Sequence, residues 1–164
     1  MTHNRKHIAF AQIALLAFLA LSATGSLFAQ QNVFYAHTTN TINTNSTSFV
    51  AIPGLSFTLP AASTTYNAAV VTVDMPNLYL SGISPNGNLG GDVGISANGA
   101  IVAQGSISSD TLSSGVTGRN PMTVVALVSL ASNPRTVEAV WEGGQGDFIN
   151  NDTFGSLTAI LVNR

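Results

Sequence analysis

No cysteine occurs anywhere in the 164 residues. That excludes a disulfide scaffold, thiolate metal sites, a cysteine nucleophile and a lipid-anchored cysteine. Charge is nearly as scarce: 7 % of the residues are Asp, Glu, Lys or Arg, against about a quarter in an ordinary soluble domain. Lys6 is the sole lysine, which excludes a Schiff base and a lysine–asparagine cross-link in the rest of the chain. The apolar fraction, 45 %, is near the globular norm, so the scarcity of charge is not the mark of disorder.

The basic residues at the start belong to an address. His3, Arg5, Lys6 and His7 precede an apolar run from Ile8 to Leu21, and small residues lead to Ala29. These are the three regions of a secretory leader, and the run is short for a membrane span. We expect cleavage after Ala29 and export to the extracellular space, the cell surface or the periplasm, with no membrane insertion once the leader is gone. The mature chain then holds Arg119, Arg135 and Arg164 against Asp74, Asp92, Asp110, Glu138, Glu142, Asp147 and Asp152, a formal balance of −4. Such a chain has no basic footprint for nucleic acid and no polybasic patch for a membrane surface.

Beyond residue 30 no helical period is sustained. Short runs rich in Val, Ile, Thr and aromatics recur instead, at Val33–Ala36, Ser48–Ile52, Leu55–Leu59, Ala68–Met75, Leu78–Ile83, Val93–Ala97, Ile101–Ile107, Met122–Leu130, Thr136–Trp141, Phe148–Ile149 and Leu157–Val162. Breakers separate them: Pro53-Gly54, Pro60, Pro76, Pro85-Asn86-Gly87, Asn120-Pro121 and Asn133-Pro134. The pattern predicts an all-β fold, a two-sheet antiparallel sandwich of nine to eleven short strands. Asn98-Gly99, between two such runs, predicts a two-residue type I′ hairpin. Three segments result: a leader at 1–29, an extended N-terminal strand or arm at 30–48, and the sandwich at 49–164.

Two runs, Met122–Leu130 and Leu157–Val162, are almost continuously apolar, whereas a sandwich strand with one wet face alternates. The expectation is that loops of the same chain or a second copy cover the other face. Leu157, Ala159, Ile160 and Leu161 are therefore candidates for self-association. The Thr/Asn/Ser tract Thr38–Ser48 reads as a solvated loop or tether. The apolar tip before it, Val33, Phe34 and Tyr35, is a candidate strand for exchange into a neighbouring subunit.

Chemistry is thinly supported. His37 is the one histidine left after leader removal, and beside a polar tract it reads as exposed rather than as a catalytic base. One histidine without cysteine does not make a zinc site. Glu138 and Glu142 could form a hydrolytic pair, yet scattered solvated carboxylates are the better account of them. Asp147, Asn150 and Asp152 could offer oxygen to a hard cation, but the stretch matches no calcium-binding repeat. Trp141 with Asn150 and Asp152 would suit a sugar ring if the tryptophan is exposed, and a core if it is not. The expectation is no catalytic residues, no metal and no cofactor. A membrane β-barrel would need longer strands and aromatic girdles.

The order of motifs carries a resemblance. Ser46–Pro60 (STSFVAIPGLSFTLP), Ala68–Met75 (AAVVTVDM), the hairpin at Asn98-Gly99, Val124–Leu130 (VVALVSL), Arg135–Gly146 (RTVEAVWEGGQG) and Gly155–Val162 (GSLTAILV) follow in turn. The chain resembles bacterial and phage-associated secreted jelly rolls of the kind seen in complement globular heads and the tumour necrosis factor family. That resemblance implies a compact trimer with the last strand near the three-fold axis, and binding or assembly rather than catalysis. The expected function is a secreted, non-enzymatic structural or adhesive module that self-associates as a trimer or a strand-exchanged fibre. A carbohydrate-binding, lectin-like module is the alternative, with a glycan or surface partner.

Overall fold

The computed structural model describes residues 32–83, 88–109, 114–144 and 147–164. The leader expected at 1–29 and the breaker Pro85-Asn86-Gly87 lie outside the described residues. Eleven strands form two antiparallel sheets, with no helix among the described residues. They are β1 (Val33–His37), β2 (Ile42–Thr44), β3 (Val50–Leu59), β4 (Ala68–Ile83), β5 (Leu89–Ala97), β6 (Ala100–Ser109), β7 (Ser114–Val116), β8 (Asn120–Ser129), β9 (Arg135–Gly143), β10 (Phe148–Asn151) and β11 (Ser156–Val162). One sheet has seven strands in the order β1-β11-β4-β10-β2, with β8 and β7 on the other side of β4; the second runs β3-β9-β5-β6. The architecture is a jelly-roll β-sandwich.

Two expected pairs of strands are single strands. Pro53-Gly54 interrupts β3 only as a shift of register between Ala51 and Ser56, with Gly54 at φ 82°. A proline is tolerated there because β3 ends its sheet and a bulge needs no ladder hydrogen bond. Pro76-Asn77 does the same inside β4, where register shifts between Met75 and Leu78. The first half of β4 therefore pairs β11 and β8, and the second half pairs β10 and β7. At the β5–β6 turn, Asn98 and Gly99 have φ 51° and 81°, the left-handed pair that a type I′ turn requires. Asn98 also ties that tip to β9, its Oδ1 accepting the Thr136 N–H at 2.9 Å.

The core lies between the sheets, with Leu55, Val71, Leu80, Ile95, Val137 and Leu157 in it. Trp141 is there as well, 1 % exposed, between Val50 of β3 and Val93 of β5 in register.

Residues 32–48 belong to the sandwich rather than preceding it as an arm. β1 pairs with its own chain's β11 over five residue pairs, from Val33↔Ile160 to His37↔Ser156. Phe34 turns inward, its ring centroid 5.7 Å from that of Phe57 on the facing sheet. Nor is the polar tract simply solvated. Thr38 is buried, its N–H donating to the Gly155 carbonyl at 2.9 Å and its Oγ1 accepting the Gly155 N–H at 2.7 Å. Further along, β2 pairs β10, and the Ser46 carbonyl accepts the Gly143 N–H at 2.7 Å. Composition pointed to solvent; main-chain pairing and the Thr38 hydroxyl bond outweigh it.

The two apolar runs each have one core face and one open face. On β8, Val124, Ala126 and Val128 are buried, while Val125 and Leu127 are 57 % and 53 % exposed. On β11, Leu157, Ala159 and Leu161 are buried and Ile160 is 49 % exposed. No loop among the described residues covers these outward side chains.

Candidate functional site

Alternation along paired strands places two contrasting regions on the outward face of the seven-stranded sheet, divided by the bulge in β4. The first is aliphatic. Register aligns Val33, Ile160, Val70 and Leu127 in one row across β1, β11, β4 and β8. The next row is Tyr35, Thr158, Thr72 and Val125, and the third is His37, Ser156, Asp74 and Thr123. Polarity thus rises towards the bulge. Asp74 accepts a hydrogen bond from Thr123 Oγ1 at 2.9 Å, and the Tyr35 and His37 rings stack with centroids 5.4 Å apart.

Of the residues expected to serve self-association, Val33, Tyr35 and Ile160 lie on this open face. Phe34, Leu157, Ala159 and Leu161 do not, because each points into its own core. A continuous apolar run hides which alternate residues face inward. Val70, Val125 and Leu127, absent from the expected set, complete the aliphatic rows.

Past the bulge the same face becomes polar and aromatic. The Arg119 guanidinium lies 4.0 Å from the centroid of the Tyr79 ring and is ion-paired with Asp152. Burial, then hydrogen bonding and charge from the neighbouring Asp152 carboxylate, raise the Tyr79 pKa, with Arg119 opposing them, so Tyr79 stays neutral. Asn150 pairs with Tyr79 in register, and its Nδ2 donates to Ser81 Oγ at 3.0 Å and to the Phe148 carbonyl at 3.1 Å. Phe148, Ser81 and Val116 form the adjoining row across β10, β4 and β7, with Phe148 and Val116 exposed and Ile83 beyond them.

Backbone ties fix this geometry. The Leu80 N–H donates to Thr117 Oγ1 at 2.9 Å and the Thr117 N–H to the Leu80 carbonyl at 2.9 Å. They hold the segment carrying Arg119 against β4. Asn151 accepts the Asn77 N–H at 3.3 Å on Oδ1 and donates to the Thr153 carbonyl at 2.6 Å, shaping the turn that carries Asp152.

Asn150, buried, is the register partner of Tyr79, and Asp152 is ion-paired with the arginine that lies over the Tyr79 ring, but Trp141 is not with them. It belongs to the core and offers no ring to a ligand. Tyr79, Arg119 and Phe148 take the aromatic and cationic places, and nothing in the local sequence of Tyr79 marks it. The arrangement suits a hydroxyl-rich ring: a carboxylate and a guanidinium beside an apolar shelf.

A family model described as Bc2l-C, N-terminal domain, matches residues 39–160, which is 122 of the 164. The chain belongs to the Bc2l-C N-terminal domain family. No curated protein sequence matches it. Among solved structures, it is similar to the C-terminal domain of EclA, a sugar-binding protein, at 15 % identity and a TM-score of 0.39, covering 74 % of this chain and 78 % of that one. It is similar to Eiger TNF from S. frugiperda at 12 % identity and a TM-score of 0.41, covering 82 % and 96 %. The tripod from the baseplate of bacteriophage Tuc2009 matches at 12 % identity and a TM-score of 0.37, covering 85 % and 69 %. These likenesses concern the fold.

On the other sheet, this member of the Bc2l-C N-terminal family carries carboxylates that do not form a hydrolytic pair. Glu138 and Glu142 share one face of β9 four residues apart, about 13 Å along the strand, wider than the separations such enzymes use. Glu142 instead faces Asp92 directly across β5 and β9. Asp147 serves the fold: it is buried, and its Oδ2 accepts the Gly90 N–H at 2.9 Å. Among the described residues no group of three His, Cys, Asp or Glu side chains could hold a metal ion.

The Asp92–Glu142 contact sets a pH dependence. Burial, then the Asp92 charge and hydrogen bond, raise the Glu142 pKa above its usual value of 4.5. Its stabilising contribution is therefore complete below the unfolded value and is lost as pH rises through the raised folded value. Glu142→Gln is expected to stabilise the fold at neutral pH by about 0.2–1 kcal/mol, the scale of cross-strand side-chain pairs, because like charges directly opposite are destabilising. The gain should shrink towards pH 4, as urea unfolding at the two pH values would show.

Proposed function

We propose that the chain is a secreted, non-enzymatic glycan-binding module of lectin type. The carrying observation is the cluster of Tyr79, Arg119, Asp152 and Asn150 beside exposed Phe148 and Val116. Saccharide sites need directional donors and acceptors next to an apolar surface for the ring's hydrophobic face, and this cluster supplies both, with Tyr79, Phe148 and Val116 on strands and Arg119 and Asp152 on the loops beside them. Membership of the Bc2l-C N-terminal domain family supports the same reading.

The test is a glycan array with the mature protein and with Arg119→Ala. Retention of at least one glycan is expected, weakened about tenfold or more in the variant, which is 1.4 kcal/mol. An array on which nothing is retained overturns the reading.

A second role, assembly of identical chains, is favoured by the row of Val33, Ile160, Val70 and Leu127. Monomeric proteins seldom leave such contiguous apolar surface open, and low net charge limits repulsion between copies. Light scattering of the mature protein should give a multiple of the subunit mass, and a monomer at all concentrations argues against it.

A further inference from the structure

We infer that Asp152 sets the charge class of the ligand, restricting the site to uncharged saccharides by neutralising Arg119. This rests on the glycan-binding reading. An acidic sugar, a uronate or a sialic acid, needs a cation whose donors are free to fork around its carboxylate, and arginine is the usual provider. Here the guanidinium is already held between the Tyr79 ring and the Asp152 carboxylate. The three side chains form one unit with a single positive and a single negative charge.

No other cation among the described residues compensates. Arg135 opens β9 in the opposite sheet. Arg164 donates to Ser129 Oγ at 2.8 Å, and Ser129 lies nine residues along β8 from Asn120, about 30 Å away. The described residues hold three arginines against six carboxylates, so an approaching anion meets net repulsion. A neutral ring instead meets the acceptor oxygens of Asp152 and the remaining guanidinium N–H groups, with Phe148 and Val116 beside it.

Asp152→Asn keeps the shape of the side chain and removes its charge, which turns the same site into one with an unopposed guanidinium. The experiment measures binding of wild type and Asp152→Asn to two immobilised panels. One carries neutral hexoses, deoxyhexoses and N-acetylhexosamines; the other carries glucuronate, galacturonate and N-acetylneuraminate. Wild type should bind from the neutral panel only. Asp152→Asn should gain acidic-panel binding of at least tenfold over wild type, weakening with added salt, and Arg119→Gln in the same chain should abolish that gain.

Wild-type binding to the acidic panel overturns the inference without any variant. So does an Asp152→Asn protein that unfolds at the wild-type temperature and gains no acidic binding. Failure of wild type on both panels overturns the glycan-binding reading itself, a result distinct from either.

Discussion

Trp141→Ala is expected to destabilise the fold by about 3–5 kcal/mol, the cost of truncating a large buried aromatic. Trp141 is a fully buried side chain, set between the strands that join the two halves of its sheet. Domains of this size are stable by about 5–15 kcal/mol in total, so the variant should lose roughly a fifth or more of its stability. Its unfolding temperature should fall by about 10–20 °C. Calorimetry checks this, and a shift under about 3 °C, less than 1 kcal/mol for a domain of this size, would place the indole outside the core. The same burial predicts blue-shifted tryptophan emission that saccharides leave unchanged, so binding must be read by another signal.

Leu127→Asp combined with Ile160→Asp is expected to convert an assembled protein wholly to monomer. Both side chains are half exposed in the single chain, so the substitutions cost the isolated subunit little. In an assembly closed over the aliphatic rows, each would place an unpaired carboxylate in a desolvated contact, at a cost of several kcal/mol. The measurement is native mass by light scattering, with far-UV circular dichroism to show that the sandwich is retained. An unchanged multimer would move the contact off this face.

Much of the fold was legible because its signals are local. Asn98-Gly99 demanded positive φ at two successive residues, and the turn has them. The short β-branched runs and their breakers marked out the all-β sandwich and most strand positions. What local reading missed follows from pairing between distant segments. Pro53 and Pro76 looked like ends of strands, but each sits at a bulge within a continuous one. β2 and β7 are three residues long and carry no pattern of their own; a neighbour's main chain makes them strands. The run Val124–Leu130 concealed an alternating strand because its outward residues are as apolar as its inward ones.

The candidate site was half legible for the same reason. Asn150 and Asp152 stand in one turn-rich stretch and invite attention together. Tyr79 and Arg119 are 73 and 33 residues from Asp152 in sequence, and only the topology of β4, β8 and β10 brings them to it. Trp141 drew attention by its chemistry, but its parity on β9 decides its place: it shares the inward face with Val137 and Ala139.

The reciprocal hydrogen bonds between Thr38 and Gly155 bear on where this domain begins. The family match starts at residue 39, yet β1 and Thr38 lie just before that point and are part of the sheet. A fragment cut at residue 39 would strip β11 of its outer neighbour and leave the buried Gly155 amide and carbonyl without their partners. It would also bare an uncharged flank of seven residues, Ser156–Val162, to any passing strand. Such flanks template aggregation. The smallest stable unit therefore includes residues before the shared sequence, and β1 with Thr38 is a seal on the sandwich.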